Sequence, residues 1–178
     1  LILDRDSFFE IQPRYGRSRI TGLARIDGYP VAVMANNPRF HGGTLNSEAI
    51  AKVRRLIQLA DVFHLPLVYF CDEPGFMVGL EEEKKGILRD GAALAAVNQM
   101  SKMPFFTVIT RQAFGVAGGL SYRPHGLYRR LAWPSASWGS MHIQGGVSAA
   151  YRREIAAADD PAAKQAEIEA RLRELASP

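Results

Sequence analysis

Two hydrophobic rhythms alternate along this chain, and each change of rhythm marks an element. The β-branched runs "ITGLARI" (20–26) and "VAVMA" (31–35) read as strands. "DGYP" joins them, and its Asp27-Gly28 pair is a strong hairpin signal. In "NSEAIAKVRRLIQLADVF" (46–63) the residues Ile50, Val53, Leu56, Ile57, Ala60 and Phe63 recur at helical spacing, with Asn46 or Ser47 placed to cap the start. His64, Leu65 and Pro66 break that helix, and "LVYFC" follows as a buried strand. "EEEKKGILRDGAALAAVNQMSK" predicts one further amphipathic helix, whose acidic first turn suits the helix dipole. "FFTVIT" (105–110) is the next strand and ends at Arg111, and "SASWGSM" is a short one. A last helix starts at Pro161 behind the cap Asp160, with Glu167–Arg171 and Glu169–Arg173 at ion-pair spacing.

Strand, helix, strand, helix, strand is the rhythm of βαβ units, so an α/β fold with a parallel sheet is expected. Ligands in such folds gather at the carboxyl ends of strands. Two turns follow strands in this chain, "CDEPGF" (71–76) and "RQAFGVAGG" (111–119), and both belong at the same edge of the sheet. The second carries three glycines and two alanines between Ala113 and Gly119. Such a cluster is either a tight strand-to-helix turn packed under a neighbour, or a row of bare backbone N–H groups aimed at negative charge.

Composition narrows the field. The formal net charge is +4, with basic clusters in "RRLAWP" and "YRRE". That balance suits phosphorylated small molecules as well as nucleic acid, and no helix-turn-helix, zinc-finger or RNP pattern is present. No segment has the apolar length of a membrane span. Cys71 is the single cysteine, so there is no disulfide framework, and a reducing cytoplasm is the expected compartment. The four histidines lack metal-ligand spacing, the serines lack a G-x-S-x-G elbow, and neither a dinucleotide fingerprint nor a P-loop occurs. Asp72 and Glu73 stand side by side, but consecutive residues point apart, and an Asp before Pro-Gly reads as a turn residue. Trp133 and Trp138 read as core or interface residues. The chemistry that fits is one in which backbone amides stabilise charge and a cofactor brings the reactive group.

Several stretches, in order, carry a resemblance. "SFFEIQPRYGRSRITGLARIDGYPVAVMANNP" (7–38), "LADVFHLPLVYFCDEPGF", "VITRQAFGVAGG", "AWPSA" and "GGVSAAYRREI" together resemble the second half of the carboxyltransferase (β) subunit of biotin-dependent acyl-CoA carboxylases, the propionyl-CoA and methylcrotonyl-CoA carboxylase relatives. The resemblance implies a single-domain, crotonase-type (ClpP/crotonase-like) α/β fold of repeated ββα units. It also implies that residues 1–178 form a C-terminal carboxyltransferase domain of a longer chain, in keeping with an opening at Leu1 and a stop at "LRELASP". The implied activity is carboxyl transfer from carboxybiotin to an acyl-CoA. Biotin would ride on a carrier protein or domain, an N-terminal half would hold most of the acyl-CoA, and a homo-oligomer would complete the site.

By position in that family, the backbone amides of Val116 and Ala117 are the oxyanion donors. Gly75, Phe76, Gly115, Gly118, Gly145 and Gly146 face biotin, and Gly119 borders the substrate pocket. No metal, membrane or nucleic acid enters. Three departures stand out: Val116 where relatives often have Gly, Gly118-Gly119 where an aromatic and a polar residue are usual, and His142 where Gly is usual. Two alternatives are a biotin-dependent acyl-CoA decarboxylase subunit and a non-catalytic assembly module.

Overall fold

In the computed structural model, which describes residues 2–141 and 143–176, the sheet begins with a hairpin. A two-residue β1 (Phe9–Glu10) lies along β2 (Arg19–Ile26), which pairs antiparallel with β3 (Tyr29–Asn36). Ile26 faces Tyr29, so the turn is Asp27-Gly28 alone, at φ 52° and 80°. Both positions need positive φ, which is why Asp-Gly fits them. The Asp4 carboxylate accepts both turn N–H groups at 2.8 Å.

Parallel strands follow. Helix α1 (Ser47–Val62) carries the chain from β3 to β4 (Leu67–Glu73), and Asn46 caps it by accepting the Ala49 N–H at 2.9 Å. Its stripe of Ile50, Val53, Leu56, Ile57 and Ala60 is buried against Leu67, Tyr69 and Cys71 of β4 and Leu94 of α3 (Ile87–Met100). Val68 and Phe70, on the alternate face of β4, pack on a smaller cluster of Ala24, Val31 and Val33. Where the sequence predicts a single helix after β4, two form. Gly86 sits at φ 85°, in the left-handed region, and splits α2 (Leu80–Lys85) from α3.

Strand β5 runs Phe105–Phe114, four residues beyond the expected end, so Arg111–Phe114 belong to a strand and not to the turn. It serves two short neighbours along one side. β6 (Tyr128–Ala132), absent from the sequence expectation, pairs with Phe105–Ile109, and β7 (Ser137–Gly139) with Gln112–Phe114. Between those ladders β5 bulges: Cys71 faces Ile109, but Glu73 faces Ala113. Among the described residues the order is β1-β2-β3-β4-β5-β6, with β7 beside β5. Helix α4 (Gly115–Gly119) follows β5 directly, and α5 (Ile143–Ala150), α6 (Arg152–Ala156) and α7 (Pro161–Leu175) close the chain. Asp160 caps α7 through the Ala162 and Ala163 N–H groups. Arg173 reaches Glu169 at 3.0 Å as spaced, whereas Glu167 is engaged by Lys164 at 3.2 Å. No helix among the described residues is long and apolar enough to cross a membrane.

Candidate functional site

Glu73 and Ala113 are the last paired residues of two adjacent parallel strands. Gly75 and Gly115 each lie two residues further on, so the two glycine turns share one carboxyl edge, on strands about 4.8 Å apart. Gly115 has φ 64° and starts α4, where the first N–H groups have no partner within the helix. Val116 is 76% exposed there, and Ala117 is buried beneath it. Gly118 lies against the Ala113 backbone, while beside Gly119 there is open space. The far end of α4 is tied by the Ser121 hydroxyl, which donates to the Gly118 carbonyl at 2.6 Å.

The facing turn is held differently. The Gly75 carbonyl accepts the Leu45 N–H at 3.0 Å, and the Met77 N–H donates to the Leu45 carbonyl at 3.0 Å. The half-buried Phe76 ring packs on Gly91 of α3, where a Cβ would stand 2.9 Å from its Cζ. On the other flank, Gly139 pairs with Phe114, and the chain enters α5, which contains Gly145 and Gly146. Gly146 packs on the Met141 side chain. Met141 also lines a hollow of about 200 Å³ with Phe114, Trp138, Ser140, Ile143 and Tyr151. His142 lies outside the described residues.

The titratable groups here are turned away from the edge or engaged. Asp72 pairs with Arg111 near the surface, the Nε donating at 2.9 and 3.1 Å, while Glu73 points inward to Arg19. The two carboxylates therefore do not form an acid–base pair. Burial holds the Glu73 carboxyl above the usual carboxylate range, and Arg19 beside it offsets only part of that rise. Burial also pushes the Cys71 thiol up to about 11. Among the described residues no group of three or more His, Cys, Asp or Glu side chains could hold a metal ion. What the edge offers chemically is main-chain donors beside open space.

Sequence reasoning missed the polar cluster of Arg19, Asn36 and Glu73 under this edge. One signal for it existed. Leu67, Tyr69 and Cys71 set the inward phase of β4, and period two carries that phase to Glu73.

Over residues 1–178 the chain matches the carboxyl transferase domain family. It belongs to that family. It is 41% identical to the carboxyltransferase subunit of propionyl-CoA carboxylase from Haloferax mediterranei, over 97% of this chain and 34% of the relative. It is 35% identical to the methylmalonyl-CoA carboxyltransferase 12S subunit from Propionibacterium freudenreichii, over 93% of this chain and 32% of the relative. A crystal structure of transcarboxylase 12S, a hexamer assembly with methylmalonyl-coenzyme A and methylmalonic acid bound, superposes with a TM-score of 0.90. That match has 31% identity and spans 99% of this chain and 34% of the other. The carboxyl transferase chain thus has the crotonase-type α/β fold, and it spans about a third of the length of the curated relatives it matches.

Proposed function

We propose that this chain supplies the biotin-facing half of an acyl-CoA carboxyltransferase and corresponds to a C-terminal domain. The observation that carries this reading is the register of Glu73 with Ala113, which sets the Gly75 and Gly115 turns at one edge. The residues present fit biotin: a side chain at Gly75 or Gly119 would meet no atom within 4 Å, so open space flanks the bare backbone on both turns. Biotin, carried on a separate carrier protein or domain, would supply the carboxyl group. The Val116 and Ala117 N–H groups would donate to the ureido oxygen and hold its negative charge, each worth roughly 3 kcal/mol in a dry site. Gly115 would keep the backbone close, and Gly119 would border the acyl pocket. Gly118 and Gly146, both in tight packing, would shape the edge from behind, and Gly145 would lie along its α5 flank.

The acyl-CoA, an N-terminal carboxyltransferase half and further copies of the chain are the implied partners. Transfer is favoured over decarboxylation because the relatives named above are carboxylase and carboxyltransferase components. Purified alone, the chain should give no carboxyl transfer to short acyl-CoAs. Mixed with an N-terminal half and a carboxylated carrier, it should. Turnover by the chain alone would overturn the shared site, and a mixture that stays silent while assembled would support a non-catalytic assembly module.

A further inference from the structure

We propose that Arg19, Asn36 and Glu73 are positioning residues that set the Gly75–Phe76 turn against the α4 edge, an inference that rests on the site reading above. Glu73 is buried at the end of β4. One carboxylate oxygen accepts the Gly75 N–H at 3.1 Å, and the other accepts the Arg19 guanidinium and, at 3.5 Å, the Asn36 amide. The other Arg19 nitrogen and the Asn36 amide converge on the Gly43 carbonyl, at 2.6 and 3.1 Å. The Asn36 oxygen accepts the Tyr69 hydroxyl at 2.8 Å and the Asp72 N–H at 3.0 Å.

Those partners are informative. The β3–β4 pairing ends at Ala35 and Phe70, and the β4–β5 ladder shifts register between Cys71 and Glu73, with the extra residues on β5. The Asp72 N–H goes to Asn36, and the Gly75 N–H goes to Glu73. The cluster thus holds two amides of a segment that has run past its β3 partner, just before the chain reaches the candidate edge. Stability alone does not account for a buried ion pair in this place, since well-packed apolar residues of similar volume are commonly as stable or more so. What a carboxylate does that a hydrocarbon cannot is accept a turn N–H and fix its direction.

The test uses two variants of the whole chain. The double variant Arg19→Met/Glu73→Leu removes the pair without leaving a lone buried charge. It is expected to fold, with amide exchange at 72–76 at least tenfold faster and exchange at 31–35 unchanged. Glu73→Gln keeps an oxygen for Gly75, and its exchange at 72–76 should stay within threefold even where its Tm falls. In the enzyme reconstituted with its N-terminal half, the double variant should raise KM for the biotin donor several-fold and leave KM for acyl-CoA unchanged. Unchanged exchange at 72–76 in the double variant overturns the proposal. So does loosening in Glu73→Gln that merely follows global stability. Gly115→Val separates the two readings: if it leaves carboxyl transfer intact, the site reading fails, while the exchange data still decide the positioning role.

Discussion

Gly118 rests on the backbone of Ala113, so closely that a Cβ on Gly118 would stand 2.5 Å from the Ala113 carbonyl carbon. A main-chain neighbour cannot rotate aside, so the short helix α4 would have to lift off the end of β5. Gly118→Ala should cost about 2 kcal/mol or more, as overpacking and backbone displacement do. Gly119→Ala should change stability by about 0.5 kcal/mol or less, because the space beside Gly119 is open. Urea unfolding of the two variants checks the contrast, and equal losses would mean that α4 does not sit against β5 in this way.

Gly115 poses a conformational demand, not a spatial one. Its φ is 64°, and the nearest atom to a Cβ there is the Ser140 carbonyl oxygen at 3.8 Å. Asn tolerates the left-handed region and Val does not. Gly115→Asn should cost less than about 1 kcal/mol and Gly115→Val about 2 kcal/mol or more. In the reconstituted enzyme, Gly115→Asn is therefore the informative variant, because it crowds the edge while sparing the fold. Carboxyl transfer by it should fall by more than its loss of stability accounts for.

The edge around β6 is expected to bury against another subunit or half. Leu127, Leu131 and Trp133 are 58%, 64% and 51% exposed. Arg123, which the sequence places in the same stretch, is instead buried and donates to the Ser101 and Met103 carbonyls. Tyr128 is half-buried, meets Tyr122 edge-on and donates to the Ser121 carbonyl at 3.0 Å. Leu131→Glu or Trp133→Glu should weaken self-association in sedimentation with Tm nearly unchanged, whereas Tyr128→Glu should unfold the chain. A wild type that stays monomeric at high concentration would remove the ground for an interface here.

Glu82 links α2 to the start of α1. Its carboxylate accepts the Ser47 N–H at 2.9 Å and hydroxyl at 2.8 Å, and Lys85 on its other oxygen at 2.8 Å. These bonds, the Lys85 one foremost, lower its pKa to about 2. A carboxyl whose folded pKa lies below its unfolded value contributes stability above the unfolded pKa, and loses it as pH falls through the folded one. Wild type should therefore lose an increment of about 1–2 kcal/mol between roughly pH 4.5 and 2. Glu82→Gln should lack that increment at pH 7 and show a flatter acid limb in pH-dependent unfolding.

Cys71 is fully buried between Tyr69 and Glu73 on β4, and its thiol is pushed up to about 11. A neutral alkylating reagent at pH 8 should label it only as fast as the strand opens, at least a hundredfold slower than in the unfolded chain. Fast labelling of the native chain would show that β4 is not a central strand.

Local chemistry made much of this fold readable. Asp27-Gly28, Asn46 and Asp160-Pro161 each satisfy a demand set within three residues, and each does its expected work. Apart from Gly86, the misses have a common cause, which is dependence on distant partners. Gly86 ends a helix because its backbone turns left-handed, and nothing in the amphipathic pattern around it forbade a continuous helix. β6 carries exposed Arg129, Arg130 and Leu131 without alternation, and it is a strand because β5 offers it an edge. "RQAF" continues β5 because β7 is there to pair with it. At the candidate site, the glycine turns and their shared edge were legible from strand order. The inward Glu73 and the packing of the Phe76 ring on Gly91 were not read, since both depend on what lies beneath the turn.

The division of β5 between β6 and β7 gives the sheet a seam. A ladder shared by one long neighbour opens as a unit, but here Phe105–Ile109 and Gln112–Phe114 are zipped to separate partners across a bulge. Opening at β7 would therefore not have to unzip the β6 ladder, yet it would uncover Ala113, Ala117 and Ala136, which belong to the buried core, so the seam is locked from beneath.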